Sequence, residues 1–135
     1  MYVGIAPEND ESSATLRSRL LKNHLGSSLA SSVFRRRLAA LLWKEQGWSP
    51  RLTAGGRWRL DTADDQALRT WQRTNLRVSW CPLDKPWEYE ALAIETLRTP
   101  LNVDANVTNP YLDKLEAARK AFKATAQARA DGRLP

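Results

Sequence analysis

Residues 87–102 read WEYEALAIETLRTPLN, and the placement of one acid in this stretch decides how the chain around it is read. On a helical wheel at about 100° per residue, Trp87, Ile94 and Leu97 share a face, and Glu90 falls within that stripe. Glu88 and Glu95 lie together on another flank, where water solvates them. A carboxylate on a core-facing stripe is costly unless a partner, a proton or a metal compensates it, so Glu90 requires a reason. The structural answer is a salt bridge to one of the many arginines at the edge of the core; the functional answer is a ligand. Pro100 ends the helix, and Leu101 and Asn102 follow it.

Outward from this stretch the pattern is mixed. On the N-terminal side, Leu76–Cys81 (LRVSWC) alternates, which predicts a strand with Leu76, Val78 and Trp80 on one side, ended by Pro82. On the C-terminal side, residues 103–108 form a polar loop. Asn109 and Pro110 then open a last helix to about Ala128, with Leu112, Leu115, Ala118 and Phe122 inward. At the start of the chain MYVGI (1–5) predicts a strand, and PENDESS (7–13) a turn. Residues 14–25 predict a first helix with Leu16 and Leu20 inward, stopped by Gly26, with His24 solvated near its end.

A small-residue link at Ser27–Ser32 leads to a second helix over 32–46, with Phe34, Leu38, Leu41 and Leu42 inward and Arg35, Arg36 and Arg37 fanned around its start. Cations there oppose the helix dipole, so they are expected to face an anion. Residues 47–59 are turn-rich with a brief extended RWRL (57–60). Asp61 or Thr62 caps a third helix, Ala63–Asn75, with Thr62 and Asp65 at the capping-box spacing, and the helix turns Ala67, Leu68 and Trp71 inward. The six tryptophans read as packing residues, although Trp48 and Trp58 sit where stacking on bases is open to them.

The totals narrow the class. A length of 135 residues suits one domain, and no run reaches the roughly 18 apolar residues of a membrane span. The N-terminus lacks the order of a signal peptide, so the expected location is the cytoplasm. One cysteine, Cys81, and one histidine, His24, exclude an internal disulfide and a closed Cys/His zinc site. The charge is uneven: residues 12–60 hold ten basic side chains against the single acid Glu45, whereas the rest of the chain is net negative. A basic region joined to a near-neutral body suits a polyanion-binding surface, and nucleic acid is the expected partner.

Three pieces together resemble the GIY-YIG nuclease family: Tyr2-Val3-Gly4 at the end of the first predicted strand, LRSRL at 16–20 in the next helix, and Glu90 followed by PLN at 100–102. The resemblance covers residues 2 to about 102. It implies an α+β fold with a small, mostly antiparallel sheet flanked by several helices. Residues 1–102 would form the nuclease domain and 103–135 a helical extension of it. The helical wheel does not choose between Arg17 and Arg19; the family spacing favours Arg19. The resemblance also implies a strand bearing a further tyrosine ahead of Tyr2, where only Met1 stands. The expectation is a domain that continues upstream of Met1, the alternative a protein without that strand and tyrosine.

By that resemblance the function is metal-dependent endonucleolytic hydrolysis of DNA, with Tyr2, Arg19, Glu90 and Asn102 as the catalytic set. Glu90 would be the ligand of Mg²⁺ or Mn²⁺. Arg17, Lys22, Arg35, Arg36 and Arg37 are the expected grips on flanking phosphates. The competing expectation is a non-catalytic DNA- or RNA-binding module on the same scaffold.

Overall fold

Helix α2, Val33–Gln46, runs through the middle of the molecule. In this computed structural model, which describes residues 1–26 and 29–135, part of the expected 27–32 link lies outside the described residues. The helix begins where Ser32 Oγ accepts the Arg35 amide, and it ends at Gly47, whose left-handed backbone (φ 68°) a side chain would strain. Phe34, Leu38, Ala39 and Ala40 are its buried apolar residues, with Leu41 and Leu42 packed against them.

Helix α5, Leu112–Ala130, packs on α2 and brings Leu115, Phe122 and Ala126 into the same core. Each fully buried side chain of this size contributes about 1.5–3 kcal/mol. Strands β1 (Pro50–Leu52) and β2 (Trp58–Leu60) pair antiparallel, with Arg51 opposite Arg59, and β1 lies against α5. The turn between them closes through the Gly56 amide on the Thr53 carbonyl, and Gly56 takes φ 72°. The RWRL segment is thus the second strand of a hairpin. Helix α3, Thr62–Asn75, packs on β2 and buries Leu68 and Gln72.

The fold is α+β, with five helices and one two-stranded antiparallel sheet among the described residues. Two predicted strands differ. Met1–Ile5 pairs with no strand among the described residues, and Leu76–Cys81 is irregular, leaving Val78 and Trp80 exposed. Alternation marks a segment able to be a strand; it does not supply the neighbour a ladder needs. The first helix also departs from expectation. After one turn, α1 (Leu16–Ser18), it widens into a π-helical turn, Arg19–His24, closed by the Leu25 amide on the Leu20 carbonyl.

Helix α4 is Glu90–Leu97, preceded by a 3₁₀ turn at Pro86–Glu88. Leu97, the last residue of the helix before Arg98 turns left-handed, is exposed while Ile94 is buried. The Thr62/Asp65 capping box does not form, because Asp65 turns to arginines, and Ala67 faces solvent.

Candidate active site

Glu90 lies at the first turn of α4, half-buried in a pocket that Tyr2, Arg19, Arg37 and Asn102 also line. Trp87 and Ile94 are the apolar wall beside it, as the stripe predicted. Four separate segments therefore deliver the polar residues, and each is fixed by local bonding.

Tyr2 is held through its neighbour Val3. Asn102 Oδ1 accepts the Val3 amide and Asn102 Nδ2 donates to the Val3 carbonyl, both at 2.9 Å, so one side chain replaces a rung of β-ladder. The Leu101 amide adds a bond to the Met1 carbonyl. The turn carrying Asn102 is itself pinned, because Asn106 Nδ2 donates to the carbonyls of Thr99 (2.6 Å) and Asn102 (3.0 Å). Arg37 Nη1 donates to the Leu101 carbonyl at 2.7 Å.

The electrostatics follow from burial. Burial pushes the Tyr2 hydroxyl above its usual range, against the pull of Arg19 and Arg37, so at neutral pH it is a phenol. Burial likewise lifts the Glu90 carboxyl, with Arg19 opposing the lift and Glu8 and Asp104 adding to it. Glu90 makes no hydrogen bond and no ion pair among the described residues. Arg19 instead pairs with Glu8, a more exposed acid on the pocket's rim. Glu90 is thus a carboxylate within reach of positive charge that no arginine holds.

The five basic residues expected to grip phosphate separate. Arg17 and Lys22 are exposed on the first helical segment and do not line the pocket. Arg35 is fully buried, with Nη2 on Asp65 Oδ1 at 2.8 Å, so it ties α2 to α3 and is not offered to a ligand. Arg36 is half-buried and Arg37 lines the pocket. The reason is helical geometry: residues 35 and 37 stand about 200° apart, so three consecutive arginines cannot face one anion.

His24 corrects the expectation of a solvated helix end. It is buried, its Nδ1 lies 3.1 Å from Ser32 Oγ, and its ring meets Tyr2 and Phe34 edge-on. Burial, reinforced by Arg19, lowers its pKa to about 4, so it is neutral at pH 7. The π turn explains the miss. At about 100° per residue, Arg19 and His24 diverge by about 140°, whereas one π turn spans five residues and sets both on the pocket wall.

Over residues 1–121 the chain matches the family model of the GIY-YIG catalytic domain. This chain belongs to the GIY-YIG family. No curated protein and no solved structure matches it. GIY-YIG proteins form a nuclease family whose members generally use divalent metals. Among the described residues no three His, Cys, Asp or Glu side chains gather into a cation cage. The donor set of this GIY-YIG domain fits a cation held by one carboxylate and otherwise by water, as magnesium prefers, because Glu90 is half-buried and has no hydrogen-bond or ion-pair partner among the described residues. No helix is long and apolar enough to cross a membrane.

Proposed function

We propose that this protein is a metal-dependent endonuclease that hydrolyses DNA phosphodiester bonds in the pocket between Tyr2, Arg19, Arg37, Glu90 and Asn102. The observation that carries the reading is a Glu90 carboxyl with no partner among the described residues, in a pocket that Arg19 and Arg37 also line, in a family of nucleases. Glu90 would hold Mg²⁺ or Mn²⁺, which when bound polarises a phosphate oxygen and makes a bound water more acidic.

The remaining chemistry belongs to the chain. Arg19 presents a planar fork to a nonbridging phosphate oxygen, after a phosphate displaces the Glu8 carboxylate from it. Tyr2, kept protonated by burial, orients the attacking water through its hydroxyl and does not serve as a tyrosinate base. Asn102 acts through Val3 and is a positioning residue. Arg37 fixes the Leu101 carbonyl with one nitrogen, and its guanidinium adds positive charge to the pocket wall.

The test is plasmid nicking with magnesium by wild type and Glu90→Gln. The variant is expected to lose cleavage by more than about a hundredfold, with DNA binding and thermal midpoint retained. Equal nicking by both proteins sinks the assignment. Absence of cleavage from both, with DNA binding intact, leaves the binding-module reading in its place.

A further inference from the structure

The hairpin contributes no residue to the pocket. In a strand, side chains alternate between faces, and here Pro50 and Leu60 are buried while Leu52 and Trp58 turn the same way. Trp58 lies under Lys123, whose ammonium sits 4.1 Å from the ring centroid. The opposite face therefore carries Arg51 and Thr53 from one side of the hairpin and Arg57 and Arg59 from the other. Arg51 stands directly across the ladder from Arg59, and the Thr53 amide donates to the Arg57 carbonyl.

Like charges directly opposite on a ladder repel, so this arrangement costs stability unless something negative lies over it. One acid is on hand. Asp61, two residues beyond Arg59, takes Arg51 Nε at 3.1 Å. Among the described residues, Arg57 and Arg59 make no side-chain hydrogen bond or ion pair, and both are exposed. The face is left with a net charge of about +2, held on a stiff two-stranded support.

We infer that this arginine face is a second DNA-contacting surface, gripping the phosphate backbone of a duplex away from the pocket. The inference rests on the nuclease reading of the pocket and adds where the flanking duplex is held. A backbone partner suits the face better than unpaired bases, because Trp58, the aromatic that could have stacked them, is turned inward. A two-stranded ribbon is also of a size that a major groove admits. The hairpin follows the C-terminal end of α2, while Val33 and Arg37 line the pocket near its N-terminal end. Fourteen residues at about 1.5 Å each separate the ends of that helix by roughly 20 Å, so the two contacts fall on different parts of a bound duplex.

The experiment is fluorescence anisotropy of a long labelled duplex with the full chain in EDTA, across a salt series. The variants are Arg57→Ala/Arg59→Ala and Arg57→Lys/Arg59→Lys, each with a thermal melt. The alanine pair is expected to bind several-fold more weakly on unrelated sequences, with a log-affinity against log-salt slope shallower by about two units. The lysine pair should keep the wild-type slope. An alanine pair that melts like wild type and keeps its slope overturns the inference and leaves the face to an acidic protein. A lysine pair that behaves like the alanine pair overturns it as a charge contact. Since binding is read without metal, loss of the slope stands even if no cleavage is found, and an unchanged slope beside active cleavage sinks only the hairpin.

Discussion

Asp65 and Glu90 are both partly buried acids near the start of a helix, yet the molecule treats them in opposite ways. Asp65 is 16% exposed and receives Arg35 on one oxygen and Arg69 on the other, at 2.8 and 2.9 Å. Glu90 sits beside Arg19 and Arg37 and is bonded to neither. A protein rich in arginine could close that pair as it closed the first. The closed one joins two helices, and on the proposed function the open one is where an external charge is accommodated.

Substitution separates the two most sharply. Glu90→Gln removes cleavage while leaving the thermal midpoint unchanged or raised, because the buried carboxylate contributes no bond to the fold. Asp65→Asn should do the reverse. Removing the charge that faces the buried Arg35 costs about 3 kcal/mol, on the order of 10 °C in the midpoint, with cleavage per folded molecule retained. Calorimetry beside a nicking assay checks both, and a stability loss in Glu90→Gln as large as in Asp65→Asn breaks the contrast.

His24 sharpens it on the pocket side, where its Nε2 is buried without a partner among the described residues. Its folded pKa of about 4 lies below the ordinary 6.5, so the unfolded chain takes up the proton first as pH falls. Stability is therefore full above about pH 6.5 and declines toward pH 4. The expected result is that His24→Gln, melted across the same window, loses less than wild type. Equal slopes would mean that the imidazole is solvated after all.

The smallest effect belongs to the rim. Glu8 is mostly exposed, so its pair with Arg19 is worth under about 1 kcal/mol, and Glu8→Gln should tighten DNA binding no more than about fivefold. Weaker binding by that variant would mean that Glu8 supports the site and does not compete for it.

Much of this contrast was legible in the residues. The stripe of Trp87, Glu90 and Ile94 singled out the acid, and the resemblance to the GIY-YIG family added Tyr2, Arg19 and Asn102, a set that the structure places in one pocket. What was not legible depended on a neighbour or on a local change of pitch. Arg35 reads like Arg37 until Asp65, thirty residues on, is brought beside it. His24 reads as a helix end until the π turn swings it inward. Leu76–Cys81 carries a strand's alternation without a partner among the described residues, and Leu97 stays exposed because the helix ends there, at a left-handed Arg98.

The amide of Asn102 grips both sides of the Val3 peptide, and this makes it a clasp between the first residues of the chain and the turn after α4. Opening the clasp lets Tyr2 drift without touching it, so the two positions are kinetically one. Asn102→Ala and Tyr2→Phe are then epistatic: the double variant cleaves about as slowly as the worse of the singles, and each loss masks the other.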